Sequence, residues 1–329
     1  MRAQRLSCFF LSFGRKSSSR DFCTPLRDST PSCEPNFGLS RNEISRLPLV
    51  SFPGKIHLVS NEQDLSSSPV RDALDELENS TTLGVDTESA VSFKKGQSPK
   101  LALLQISNDE TAIAFRLHAF ADLPLPFRRI LTGSAVKVFH AAMAEARCLY
   151  QNYGTDLCHV VDTLAFGQQL DAPLLRLVDL AAIFLNCRIS KSRSVRLSNW
   201  MASELSPLQI SYAATDAWMT RKVYLAMRRY ADERGISVPA PMQSFVGHLA
   251  TGKTKGLRRI ARDLGIPLLV EPATQIEDND DDGDRERILD EHLREHCENV
   301  VKKTTLQKSD GTYVVTTTTT TSITHKSND

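Results

Sequence analysis

The chain has 329 residues, 41% of them hydrophobic and 24% charged, with a formal net charge of +1. That allows one large globular domain, or two smaller ones with tails, and excludes a whole-molecule basic field, so any nucleic-acid binding must rely on local patches. The seven cysteines form no Cys-x-x-Cys pair, which argues against a zinc ribbon or a disulfide scaffold, and no apolar run approaches the roughly 18 residues that span a membrane.

Before Asp21 there are no acids, but there are Arg2, Arg5, Arg15, Lys16, Arg20 and five serines. This is the composition of an organelle transit peptide, a mitochondrial one first and a plastid one second. The stretch "LSCFFLSF" is a short secretory core only if a small-residue cleavage site follows, and none does. An untargeted tail, leaving the protein in nucleus or cytoplasm, is the bland alternative. Residues 1–50 are read as targeting segment plus linker.

"KIHLVSN" (55–61) reads as a strand. "SPVRDALDELEN" (68–79) carries Val70, Ala73, Leu74 and Leu77 at helical spacing, with Ser68 as its cap. "TLGVDTE" is the next strand. "KLALLQIS" (100–107) and "TAIAFRL" (111–117) read as a hairpin turning at "NDE". "AVKVFH" (135–140) is a strand and "AAMAEARCLYQNYG" a helix ended by Gly154. "CHVVDTL" is a short strand. Helical stretches follow near 163–170, 176–186 and 206–232. Strands that begin as a meander and then alternate with helices argue for a mixed α/β sheet.

After about residue 235 the chain changes character. Residues 236–270 read as a basic helical extension with Lys253, Lys255, Arg258, Arg259 and Arg262. Residues 271–329 read as an acidic linker ("EDNDDDGDRE"), a short helix and a Thr-rich disordered tail. Two motif matches are set aside. "GHLATGKT" (247–254) fits the phosphate-loop pattern but lacks a convincing strand before it, so no ATP is expected. "HLREH" (292–296) fits a zinc-peptidase pattern with no domain to complete it.

Asp86 and Glu88 end an apolar strand. Residues i and i+2 of a strand share a face, so the two carboxylates repel unless something positive sits between them. Either the strand ends at Val85 and the acids are solvated, or they form half of a metal site. Further acids are available: Glu145 in the first turns of the helix after a strand, and Asp216, four residues after Tyr212 and on the same helical face.

The order "DTE" on the first sheet strand, an acid in the helix after a later strand, and "YAATD" on a long helix resembles the DEDD-type 3′–5′ exonucleases. The tyrosine marks the DEDDy subclass, which includes ribonuclease D and the Werner-type exonuclease domain. "VSFKKGQSPKLALLQIS", "VDTLAF" and "LSNWMASELSPLQISYAATDAW" extend the likeness over roughly residues 55–232. The resemblance implies a ribonuclease H-like mixed five-stranded sheet flanked by helices, with an exonuclease domain over 51–235 and flexible extensions at both ends. It implies phosphodiester hydrolysis from a 3′ end with two divalent metals, Mg²⁺ or Mn²⁺, about 4 Å apart. Asp86 would bridge both ions, Glu88 and Asp216 would hold the one that activates water, and Tyr212 would orient that water. Glu145 stands where the family carries Asp, one methylene longer. The alternative is a catalytically weakened module of this fold that binds nucleic acid or acts as a scaffold.

The expected partner is single-stranded or 3′-ended nucleic acid, RNA or DNA, and no membrane. Arg188, Lys191, Arg193 and Arg196, in the loop before the motif helix, are phosphate contacts or a solvated loop. Lys94 and Lys95 join them. His140 is a substrate contact or a satisfied structural histidine. Asp162 reads as a helix N-cap, and Trp200 and Trp218 as core. Oligomeric state is left open.

Overall fold

The computed structural model describes residues 34–90, 100–190, 192–269, 302–309 and 312–319. Six strands form one mixed sheet: β1 (Lys55–Val59), β2 (Thr82–Ser89), β3 (Leu101–Ser107), β4 (Thr111–Phe115), β5 (Val136–Phe139) and β6 (Val160–Asp162). Their spatial order is β1-β4-β3-β2-β5-β6. The β2–β3–β4 meander is antiparallel, with the turn at 108–110, whereas β1, β5 and β6 add in parallel. The sheet thus has one strand more than the five the resemblance implies. Both edges are filled by short strands: β1 on β4, and β6, only three residues long.

Among the described residues, eight helices of six or more residues cover the faces. They are α1 (Ser68–Glu78), α2 (Leu125–Thr132), α3 (Ala142–Tyr153), α4 (Thr163–Gln169), α5 (Leu177–Leu185), α6 (Pro207–Glu233), α7 (Phe245–Ala250) and α8 (Lys255–Asp263). One core joins Leu83 and Val85 of β2 to α1, α2, α3 and α7. A second packs Val138 and Val161 against α4, α5 and α6. The alternation of β2 divides these cores. Leu83, Val85 and Thr87 point to the α3 side, and Gly84, Asp86 and Glu88 to the α6 side.

Helix α6 starts at a capping box, in which Ser206 and Gln209 satisfy each other's backbone amides, with Pro207 at its first turn. Its 27 residues lie across β2, and Ala213, Ala214 and Ala217 are buried in the contact. Gly84 permits the approach: a Cβ there would lie 1.8 Å from the Ala217 carbonyl oxygen. Trp200 and Trp218 are both 1% exposed and belong to the core, as their composition suggests.

The ends of the chain depart from the expected linkers. Residues 34–50 dock on the second core, with Phe37 against Phe184 and Tyr230, and Val50 buried. These contacts follow no period, so nothing local announces them. Helices α7 and α8 fall within the expected basic extension, and Phe245, Leu249 and Ala261 anchor them in the first core. The "GHLATGKT" stretch runs from within α7 to the cap of α8, so a helix stands where a phosphate loop needs a strand. Strands β7 (Lys302–Ser309) and β8 (Thr312–Thr319) pair as an antiparallel ribbon, where an unstructured Thr-rich tail was expected. β-Branched threonine favours extended backbone. "EDNDDDGDRE" and "HLREH" lie outside the described residues. Among the described residues, no helix is long and apolar enough to cross a membrane.

Candidate active site

Asp86 and Glu88 extend beyond the last β2–β5 pair, Gly84 with Val138, so their edge of the sheet is open on that side. The other edge is held by β3, with Asp86 opposite Gln105 and Glu88 opposite Leu103, up to a register shift at Ser89. Helix α6 brings Asp216 over the same face. One carboxylate oxygen from each of Asp86, Glu88 and Asp216 lies within 4.8 Å of the others. The acids are therefore no solvated turn, and the strand continues through them.

Burial shifts all of these groups, and repulsion adds to it at Glu88, Asp216 and Tyr212. Burial pushes the Asp86 carboxyl up to about 7. Burial and then the Asp86 charge raise Asp216 well above the carboxylate range, opposed by a hydrogen bond from the Tyr212 hydroxyl. Burial, then the charges of Asp86, Asp216 and Glu145, raise Glu88; Arg196 is close enough to oppose that rise. Tyr212 is held far above its ordinary value by burial and the surrounding acids, so its hydroxyl keeps its proton.

Glu145 comes from the other side. Helix α3 is preceded by its cap residue Ala141, whose left-handed backbone (φ 63°) turns the chain sharply out of β5. Asp162 fixes this corner by accepting the Ala141 and Ala142 amides, each at 2.9 Å, as well as that of Leu164 at 2.8 Å. It is thus the expected N-cap of α4 and also a tie for α3. The Glu145 carboxylate accepts a hydrogen bond from the Thr87 hydroxyl. Burial, then the Asp86 charge, push Glu145 up to about 8.

The remaining expected site residues separate. The Arg196 charge acts on Glu88, and the Arg196 carbonyl accepts Trp200 Nε1 at 3.1 Å. Arg193 is exposed on the same one-turn helix, Arg193–Arg196. Arg188 instead ties two segments together, since its Nε donates to the Leu47 carbonyl at 2.9 Å and its backbone pairs with Pro48 and Val50. The His140 Nδ1 lies 2.9 Å from the Thr163 hydroxyl at the end of β5. Lys94, Lys95 and Lys191 lie outside the described residues.

Three residues at the site escaped the motif reading. Gly84 could have been flagged as a glycine inside a strand, a sign of close backbone approach. Gln105 interrupts the apolar run "LALLQIS"; it is fully buried opposite Asp86, and neither amide atom has a hydrogen-bond partner among the described residues. Thr87 reads only as a spacer between two acids.

A cluster of oxygen donors with protonation-raising repulsion suits a hard divalent cation, which would neutralise the charges that the fold brings together. Asp86, Glu88 and Asp216 are placed to hold one, and Glu145 borders the same site.

The family model described as 3′–5′ exonuclease matches residues 65–231. The exonuclease 3′–5′ domain-containing protein 2 of Drosophila melanogaster is 30% identical over 181 residues, 53% of this chain but only 30% of that protein. A 3′–5′ exonuclease of Arabidopsis thaliana is 27% identical over 206 residues, 60% of this chain and 71% of that protein. Among solved structures, the exonuclease domain of Aedes aegypti Nibbler aligns with a TM-score of 0.48 at 15% identity, over 57% of this chain and 94% of that one.

Proposed function

The chain belongs to the 3′–5′ exonuclease family, and from that premise we propose that it is itself an active, metal-dependent 3′–5′ exonuclease on RNA or DNA strands. The observation that carries this reading is the acid cluster: three half-buried carboxylates converge although the Asp86 charge raises the cost of ionising both Glu88 and Asp216, and Asp216 adds to it at Glu88. Such an arrangement is expensive unless charge neutralisation is its purpose.

Asp86, Glu88 and Asp216 would hold one divalent ion, with Asp86 and Glu145 serving a second. When bound, the ions lower the pKa of a water and stabilise the departing alkoxide. The chain's own residues do the rest. The Tyr212 hydroxyl, kept protonated, donates to Asp216 and would orient an attacking water. Arg196 offers a phosphate partner beside Glu88. The basic residues of α8, with Lys253 before it, supply a further surface for the strand's backbone. The Arg-rich, Ser-rich first twenty residues support an organellar, mitochondrial address.

The test is hydrolysis of 5′-labelled single-stranded RNA and DNA with Mg²⁺ or Mn²⁺, with chelator, and with Asp86→Asn. Metal-dependent shortening from the 3′ end, absent in the variant, is the expected result. Folded wild-type protein that binds strands without cutting them would replace this reading with the binding module.

A further inference from the structure

We propose that Thr87 is a positioning residue for Glu145, and that the two side chains act as one unit in holding the second metal ion. The proposal rests on the metal-dependent reading above. It starts from the faces of β2. Asp86 and Glu88 point to the α6 side, where Asp216 meets them, and Thr87 points the opposite way. On that side Leu83 and Val85 share a core with Ala146 and Leu149 of α3, which follow Glu145 by one residue and by one turn. Glu145 therefore reaches the site from behind the strand, past an edge that β5 leaves open after Val138.

The contact it makes there is the hydrogen bond from Thr87 Oγ1 to Glu145 Oε2. Threonine is stiff about its first side-chain torsion, so this donor is fixed by the strand itself. The bond occupies one carboxylate oxygen and leaves the other for an ion or its water. The three-acid cluster is complete without Glu145. Thr87 thus bears on the second ion and not on the first. It also accounts for the longer side chain. Helix α3 is anchored by Asp162 and by buried Ala146, so an aspartate at 145 would fall short of Thr87 by about one C–C bond, roughly 1.5 Å.

Outer partners that orient a metal ligand are worth roughly 10–100-fold in metal affinity. Manganese titration followed by electron paramagnetic resonance reads this directly. Wild type should bind two ions. Thr87→Val should leave the first unchanged and weaken the second by about 10–100-fold. Thr87→Ser, which keeps the hydroxyl, should restore it. Glu145→Asp should also weaken the second ion, and the double variant Thr87→Val/Glu145→Asp should be no worse than either single one, since both remove the same contact. Thermal melting of each variant checks that the fold is kept. A wild-type protein with two ions and a Thr87→Val variant with the same two affinities overturns the proposal alone. So does tighter second-ion binding by Glu145→Asp. Wild type that binds fewer than two ions overturns the two-metal reading and this proposal with it.

Discussion

Lys137 sits within β5 with no exposed surface, and its Nζ donates to the Gly133 carbonyl at 2.5 Å. Burial holds its amine down at about 8, because the charged form loses its water. The folded state therefore binds fewer protons than the unfolded chain between about pH 8 and the ordinary lysine value of 10.5. Stability rises with pH across that window, and below pH 8 the full cost of a buried ammonium is present. Lys137→Met should accordingly stabilise the protein at pH 7 by about 2 kcal/mol. The gain should shrink by pH 10. The Gly133 carbonyl keeps a partner, since His159 Nδ1 lies 3.1 Å from it. Melting of both proteins at the two pH values decides the matter, and a lower midpoint for the variant at pH 7 would refute it. At this scale the site was legible where spacing has one meaning. Acids at i and i+2 of a strand, and a tyrosine and an acid at i and i+4 of a helix, share faces whatever the tertiary fold. Thr87 was illegible because its role depends on which helix lies behind the strand. Lys137 was illegible because nothing local says that a lysine between two valines faces inward.

Between elements, the decisive contact is that of β2 with α6. A Cβ at position 84 would stand 1.8 Å from the Ala217 carbonyl oxygen and 3.0 Å from the Arg221 Cβ. Neither is the far end of a flexible side chain, so the helix itself must move. Asp216 precedes Ala217, and any shift of α6 away from β2 opens the acid cluster. Gly84→Ala should destabilise the fold by roughly 1–3 kcal/mol. It should also cut exonuclease turnover by about a hundredfold, the cost of a displacement near 1 Å. Steady-state kinetics with saturating Mg²⁺, beside thermal melting, measures both; wild-type turnover would refute the coupling of this contact to the site. The long helix was visible because a capping residue, a proline and small apolar residues all agree over it. Helix α2 was not: residues 118–134 carry no predicted element, and the helix opens on Pro124 at its cap with Pro126 in its first turn, where proline is tolerated. Both short edge strands are legible in their own residues, as "KIHLVSN" and "CHVVDTL", so the sequence pattern counts all six strands and only the family resemblance implies five.

For the molecule as a whole, near-neutral net charge conceals a concentrated field of one sign. Asp86 is raised to about 7 and Glu145 to about 8, with Glu88 and Asp216 raised as well. Carboxyls whose folded values exceed their unfolded ones keep protons that the unfolded chain has released. Metal-free protein should then lose stability as pH rises from about 4, where unfolded carboxyls titrate, through 7 and 8. A divalent ion would replace those protons as the neutralising charge, and an ion bound only by the folded state adds stability by mass action. The melting midpoint in chelator should fall between pH 5.5 and 8, and saturating Mg²⁺ should raise it more at pH 8 than at pH 5.5. Asp86→Asn, which removes one of the mutually repelling acids, should flatten the metal-free slope and reduce the response to Mg²⁺. A Mg²⁺ response equal at both pH values would mean that the ion binds away from these carboxylates. The same balance explains why the sequence could announce this site and not its surroundings. Four acids that converge from β2, α3 and α6 need a fold rigid enough to hold like charges together. That rigidity comes from Gly84, Asp162, Ala141 and the small face of α6, each of which is ordinary when read alone.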